Sequence, residues 1–401
     1  MATIRTVIGK LATRLFGLFG WRGQRALLWL RDRLDTLRAR GSRFPAQPWR
    51  LATDFPAGTL ILATIEPPPA STVTQPAFHG RVQLPLIGGR PFERMHVLPR
   101  SLRRVPDVLV MPGQVAVDAV TGHVVPYPMM AGEMHPHNGL RVWPDGKLSF
   151  THPLRRRTAV SFDQPVFLAD TSHHIYGHVL LEVLPRLLFL DHCPPDTLVL
   201  TGVKMQPPYP EMFAAMGVDP ARVVSLETPA WCREAYLADN FVDLRNFVAP
   251  QAWGAFARLA RAGERSTVPT ADRLYVSRRG IRRRALVNEA EVEALFSRRG
   301  FTIVNPEALS FADQVRLFAH ARVIAGPGGS ALHNMVFSRP GTRVLILAIN
   351  GLVLPIDTLL TREPGTLTYV LGTSTDPRRL YLAPWSIDLD EVEAAIDRII
   401  G

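Results

Sequence analysis

The chain predicts an α/β fold in two domains, and three observations carry that prediction. Its 401 residues exceed one average domain at roughly 100 to 200 residues each. Hydrophobic residues make up 47% and charged residues 20%, enough apolar content for each domain to bury its own core and a composition foreign to a disordered chain or a coiled coil. From Leu274 to Ala348, β-type runs alternate with amphipathic helical patterns, the mark of a parallel sheet with helices on both faces.

Residues 1–45 stand apart. Residues 1–50 hold eleven basic side chains against Asp32 and Asp35, so most of the net charge of +11 sits there. Leu15, Phe16, Phe19, Trp21, Leu28, Trp29 and Leu34 alternate with Arg14, Arg22, Arg25, Arg31 and Arg33, which reads as one or two basic amphipathic helices. The uncharged stretch Leu15–Trp21 is far shorter than the ~20 residues of a membrane span. Such a segment lies on an anionic inner leaflet as a peripheral contact, or packs on the protein's own body or a partner; both readings stand. Lysine occurs only at Lys10, Lys147 and Lys204, so the basicity is an arginine bias and no argument for nucleic acid. Cys193 and Cys232 form no C-x-x-C pair, which excludes a disulfide framework or zinc ribbon and fits a reducing cytoplasm.

Residues 46–262 read as a first lobe that is β-rich at its start. Val108–Met111 and Val115–Val117 flank Pro112-Gly113, Thr121-Gly122 marks a second turn, and Pro67 to Pro69 mark a loop. Then come a strand at Val166–Leu168, a long apolar helix from about Ile175 to Leu190, and strands at Leu198–Leu200 and Val223–Val224. The polar stretch 263–271 is the expected boundary.

Residues 272–375 read as a second lobe. Strand Leu274–Ser277 leads to a helix capped by Asn288, with Glu291 at the capping-box position, Val292, Leu295 and Phe296 on its buried face and Gly300 as the stop. Strand Phe301–Val304, a helix capped by Ser310 with Phe311, Val315 and Phe318 inward, strand Val323–Ala325, a glycine-rich turn, a short helix near Ser330–Phe337 and strand Arg343–Leu347 follow. Val344–Ile356 reads as a buried strand and loop. Residues 376–401 form a last helix, expected to pack back on the first lobe.

Ligands of such sheets bind at the carboxyl ends of the strands, here the turns after Ser277 and Ala325. Arg278, Arg279, Arg282, Arg283 and Arg284 follow the first; guanidinium forks suit a diphosphate, and a solvated loop accounts for three of the five. Gly326-Pro-Gly-Gly-Ser-Ala-Leu-His-Asn334 follows the second. There Gly328 and Gly329 allow close backbone approach, and the helix start at Ser330 offers N–H groups to an anion. Earlier in the chain, His174, His178 and Glu182 recur every fourth residue on one helical face. Glu182 can orient His178 as a general base. The same spacing also serves a metal ligand set or a histidine-lined core helix, although the H-E-x-x-H order of zinc peptidases is missing.

These motifs together resemble glycosyltransferase family 61, whose bacterial members include capsular polysaccharide biosynthesis proteins. The resemblance covers about residues 165–350. It rests on Tyr176, His178, Glu182, Pro185 and Arg186; on Ser277, Arg278, Arg279, Asn288 and Glu289; and on Gly326, Pro327, Gly329, Leu332, Asn334, Pro340, Gly341 and Thr342. The sequence departs from the family pattern at Gly328, where the turn's histidine would stand, and at Ile346, where an acidic residue would stand. His333, one turn further on, is the candidate substitute for the missing imidazole.

The resemblance implies a GT-B architecture, two Rossmann-like lobes with a cleft between them. It also implies transfer of a sugar from a nucleotide-sugar donor to a glycan or lipid-linked acceptor in surface polysaccharide biosynthesis, inverting, with no bound metal and no further cofactor. His178 and Glu182 would then be catalytic. Arg278, Arg279, Asn288, Glu289, Gly326, Gly328, Gly329, Ser330, His333 and Asn334 would bind the donor. The alternatives are a non-catalytic glycan- or nucleotide-binding protein on the same fold, motivated by Gly328 and Ile346, and a metal-dependent hydrolase built on His174, His178 and Glu182.

Overall fold

The computed structural model describes residues 49–50, 54–79, 94–111, 115–118, 120–125, 140–142, 147–150, 160–169, 175–349, 352–376 and 383–401. The basic amphipathic segment expected at 1–45, the Pro112-Gly113 turn and His174 lie outside them. Among the described residues no helix is long and apolar enough to cross a membrane.

The fold is α/β, with two large sheets. The first runs in the order Val223–Ser225, Leu198–Thr201, Val166–Leu168, Ala230–Ala238, Arg100–Met111 and Leu60–Ile65. Its first four strands are parallel and the last two join antiparallel. Val115–Asp118 folds back on Arg100–Met111 as a hairpin, as the alternating pattern predicts. The second sheet runs Thr302–Val304, Arg273–Val276, Val323–Pro327, Arg343–Ile349 and Thr366–Ser374, all parallel, and closes with antiparallel Trp385–Ser386. Ala77–His79, from the β-rich start of the chain, pairs with Thr366–Ser374 and so crosses the boundary drawn from sequence.

Parallel sheets need cover on both faces, and here one layer of helices covers two sheets at once. Phe167 and Leu180 of the first half, Phe256 of the helix Pro250–Ala260, and Phe311, Ile324 and Ile346 of the second belong to one buried cluster. The expectation that each lobe buries a separate core is corrected accordingly. The stretch 263–271 is pinned as well: Ser266 Oγ donates to Asp313 and Arg316 Nε donates to the Val268 carbonyl. The last helix, Leu389–Ile400, reaches the first half at His79, whose Nε2 lies 3.5 Å from Arg398 Nη1, and mainly covers the second sheet. Its apolar face of Val392, Ala395, Ile396 and Ile399 joins Val292, Phe296, Leu345 and Val370 on the outer face of the second sheet, where a parallel strand would otherwise be bare.

The expected long helix from Ile175 is a continuous helical run of uneven winding: α-helical Tyr176–His178, π-wound Val179–Val183 and 3-10 Leu184–His192. The change of winding falls at Pro185, which has no N–H for the i−4 carbonyl and clashes with it in a regular helix. In the second half, Ser310 Oγ caps Phe311–His320 by accepting the Asp313 N–H at 3.1 Å. Gly300, with φ +78, ends the helix Glu289–Arg298 as expected. Asn288 makes no cap hydrogen bond; its amide instead clasps both backbone groups of Ile387, which ties that helix to the start of the last one.

Gly326 has a steric reason to be glycine, since a Cβ there would lie 2.6 Å from the Val276 carbonyl oxygen. At Gly328 a Cβ would meet Ile346 Cγ2 at an ordinary 3.5 Å. Gly326→Ala is therefore expected to lower the free energy of unfolding by about 1–3 kcal/mol, and Gly328→Ala to stay within about 0.5 kcal/mol of wild type. Urea midpoints with unchanged m-values check both.

Candidate active site

The second sheet reverses its winding at one place. From Arg273–Val276 the chain moves to Thr302–Val304 on one side, then to Val323–Pro327 on the other. A crevice opens beyond the carboxyl ends at such a reversal. The loop at Arg278 and the turn at Gly328-Gly329 leave the two adjacent strands into it.

The two segments touch. A Cβ on Gly329 would collide with the Arg278 guanidinium, so the cation lies directly against the turn. Arg278 is held from behind: its backbone N–H donates to Glu289 Oε1 at 2.6 Å, and its Nη2 donates to the Arg283 carbonyl at 3.3 Å. Desolvation lowers the guanidinium's pKa and raises that of the Glu289 carboxyl, which the Arg278 N–H draws back down. Arg278, Arg284, Gly328, Ile346, Asp357 and Trp385 wall a pocket at this point.

The other sequence-predicted residues divide. Arg279 pairs with Glu293 and is 61% exposed, outside the pocket wall. Arg282 and Arg283 are exposed, so the solvated-loop reading accounts for the three arginines it was given. Asn288 and Glu289 are engaged by Ile387 and by Arg278, and through these bonds they shape the loop that carries Arg278. Gly326 lies in the strand, where it lets Val276 approach.

The first half reaches the site through the helical run that begins at Tyr176. A Cβ on Gly177 would collide with His333 Nδ1 and come within 3.0 Å of Ser330 Cβ, so the run sits flush on the first turn of Ser330–Phe337. Tyr176 Oη donates to Asn334 Oδ1 at 2.6 Å, Asn334 Nδ2 donates to Gln314 Oε1 at 2.9 Å, and Gln314 Nε2 donates to the Pro306 carbonyl at 2.9 Å. Burial raises the pKa of the Tyr176 hydroxyl, which stays a donor. Next to Gly177, His178 Nδ1 is bound to Glu182, the i, i+4 pair expected from sequence. The His178 side chain is 24% exposed and does not form part of the pocket wall.

This arrangement gives an imidazole oriented by a carboxylate, a guanidinium against a glycine turn, and an apolar layer between the two sheets that locks one to the other. It suits proton removal on the first-sheet side and anion binding on the second. Among the described residues no group of three or more His, Cys, Asp or Glu is placed to hold a metal ion. Asp357 and Trp385 were not legible as pocket residues. Asp357 sits in the first turn of Pro355–Leu360, where an acidic residue has an ordinary helix-dipole explanation.

His333 is buried, and desolvation first, then the nearby His178, lowers its pKa to about 3. Between about pH 3 and the unfolded value of about 6.5 the unfolded chain binds the extra proton, so this group's contribution to stability rises with pH across that window and is lost on acidification. Asp357, pushed up to about 7 by burial, acts in the opposite direction from its unfolded value upward. It is present in both proteins of a comparison, so its effect cancels to first order. His333→Gln is expected to lose the rise between pH 3 and 6.5, as read from urea unfolding of variant and wild type across that range.

Residues 176–345 match the model of the family described as Glycosyltransferase 61. No curated protein matches the chain. The matched stretch opens at Tyr176, the phenol that joins the two halves, and closes inside the strand beneath the glycine turn. It thus contains both parts of the site, and over these residues the chain is similar to glycosyltransferase family 61, which supports a glycosyltransferase at the coarse level.

Proposed function

We propose that this protein transfers a sugar from a nucleotide-sugar donor to a hydroxyl of a glycan or lipid-linked acceptor, with inversion and without a metal, in the assembly of a surface polysaccharide. The observation that carries this reading is the Arg278 guanidinium held against Gly329 at the sheet's reversal point, with the His178–Glu182 pair one residue from the contact between Gly177 and His333. In this reading the two sheets with their helices form the two lobes of a GT-B architecture.

Glu182, bound to Nδ1 of His178, orients the imidazole, and in this reading the ring accepts the proton of the acceptor hydroxyl. The acceptor oxygen attacks the anomeric carbon from the face opposite the diphosphate, the new C–O bond forms, and the bond to the phosphate oxygen breaks. The departing nucleoside diphosphate keeps the electron pair. Arg278 and the N–H groups at the start of Ser330–Phe337 stabilise its developing charge, an arrangement that works best when the donors are fixed beforehand. A general base contributes about 10²- to 10⁴-fold. The donor itself is the only small molecule the scheme requires.

A specific observation favours a second reading. Gly328 presents no side chain at the position where the family pattern has a histidine, although a Cβ would fit there; a protein that binds the nucleotide or glycan without turnover follows if that imidazole is indispensable. The basic segment 1–45 would serve either reading as a peripheral anchor on the cytoplasmic face of a membrane.

Three measurements test the proposal. His178→Ala is expected to lower turnover by about 10²- to 10⁴-fold while leaving affinity for the nucleoside diphosphate unchanged; unchanged turnover removes the base. Arg278→Ala is expected to weaken nucleoside diphosphate binding in isothermal titration, and a wild-type protein that binds no nucleotide sugar defeats the reading as a whole. Deletion of residues 1–45 is expected to release the protein from vesicles containing anionic lipid but not to alter turnover on a soluble acceptor.

A further inference from the structure

Beneath the glycine turn lie two buried polar side chains that face one another without bonding. Asp357 Oδ2 accepts a hydrogen bond of 3.0 Å from the Tyr369 hydroxyl. Tyr369 is itself fixed, because its ring stacks on Phe78 with centroids 5.5 Å apart and planes 14° from parallel. The other carboxyl oxygen, Oδ1, lies 3.9 Å from His333 Nε2, beyond hydrogen-bond reach. Neither ring nitrogen of His333 has a hydrogen-bond partner, although the side chain is only 7% exposed. Buried polar groups are almost always satisfied, so an orphaned imidazole facing a carboxyl calls for a third group.

The geometry specifies that group. One oxygen at about 2.8 Å from both Nε2 and Oδ1 closes a triangle over the 3.9 Å base. It donates to Oδ1 while Asp357 is ionised and accepts from it when Asp357 is protonated, since burial pushes that carboxyl up to about 7. Burial holds His333 neutral, so one ring nitrogen donates and the other accepts. A hydroxyl meets both demands. A phosphate oxygen has no proton to give and meets only the second. Asp357 walls the same pocket as Arg278 and Gly328, which the proposed function assigns to the diphosphate. The hydroxyl therefore belongs to what adjoins a diphosphate in such a donor, the transferred sugar on one side or the ribose on the other.

We propose that His333 and Asp357 form a buried clamp for one hydroxyl of the donor, with Tyr369 as the residue that positions the carboxyl. The inference rests on the pocket being a nucleotide-sugar site and adds a recognition element to it. A site built to bond a hydroxyl discriminates strongly against an analogue that lacks it, because the clamp is then left unpaired.

The test is isothermal titration of the full chain, Asp357→Ala and His333→Gln with inorganic pyrophosphate, with UDP, GDP, CDP and ADP, and with UDP-glucose, GDP-mannose, CDP-glucose and ADP-glucose. Both variants are expected to bind the preferred nucleotide sugar at least tenfold more weakly and pyrophosphate within twofold of wild type. If the free nucleoside diphosphate weakens equally, the clamped hydroxyl is the ribose's; if it is unaffected, the hydroxyl is the transferred sugar's. Unchanged nucleotide-sugar binding in both variants, or an equal loss on pyrophosphate, overturns the clamp. A second arm avoids any folding defect in the variants: on the wild type, one of the 2′- or 3′-deoxynucleotide or monodeoxy-sugar analogues should bind at least tenfold more weakly than its parent, and equal binding of all of them overturns the clamp. A wild type that binds none of the parent compounds defeats the proposed function itself, and the clamp with it, an outcome separate from the others.

Discussion

The phenol of Tyr176, half-buried against an apolar layer, donates its hydrogen bond to Asn334 across the junction of the two halves. Asn334 passes its own amide protons to Gln314, and Gln314 to the carbonyls of Pro306 and Leu309. The apolar contacts around this chain are non-directional and would tolerate sliding of one helix over another. The hydrogen bonds do not, because each donor has one acceptor and a slipped register leaves several groups buried and unpaired at once. The position of Gly177 against His333, and hence of its neighbour His178, follows from that register. The site is assembled by a polar thread inside a core that is otherwise hydrocarbon.

The same constraint explains which parts of the protein can be read from sequence. Elements that satisfy themselves locally are legible. Ser310 caps its own helix, Gly300 ends another, and the alternation from Leu274 to Ala348 is a sheet because periodicity and cover are local properties. Groups completed from far along the chain are not. Asn288 looks like a cap and binds Ile387, 99 residues away; the last helix looks like a return to the first half and mainly covers the second sheet. Ala77–His79 joins a sheet whose other strands begin at Arg273. At the site, His178 with Glu182 and Arg278 with Gly329 come from recognisable local patterns, whereas Asp357 is an unremarkable helix-start acid until the fold places it opposite His333.

Charge follows a related logic. Five arginines in seven positions suggest a strong anion site, yet Arg279 is neutralised by Glu293 and Arg282 and Arg283 stand in solvent, where they contribute little to a buried ligand. Arg278 differs because its backbone is tied to Glu289 and its side chain is packed on the turn. A cation that is already ordered and partly desolvated loses less on binding a diphosphate than a mobile one does. Position, more than the number of guanidiniums, makes the cradle.

The glycines of the turn separate backbone need from chemical choice. Gly326 is demanded by the Val276 carbonyl, whereas at Gly329 a Cβ would displace the Arg278 guanidinium from where it lies. Gly328 is under no such demand; a side chain there would meet Ile346 at an ordinary distance, and its N–H is already spent on the Leu347 carbonyl. The consequence of glycine at 328 is therefore felt in the pocket. With no side chain projecting from the turn, the ionisable groups on that wall are Arg278, Arg284 and Asp357, whose carboxyl accepts from Tyr369.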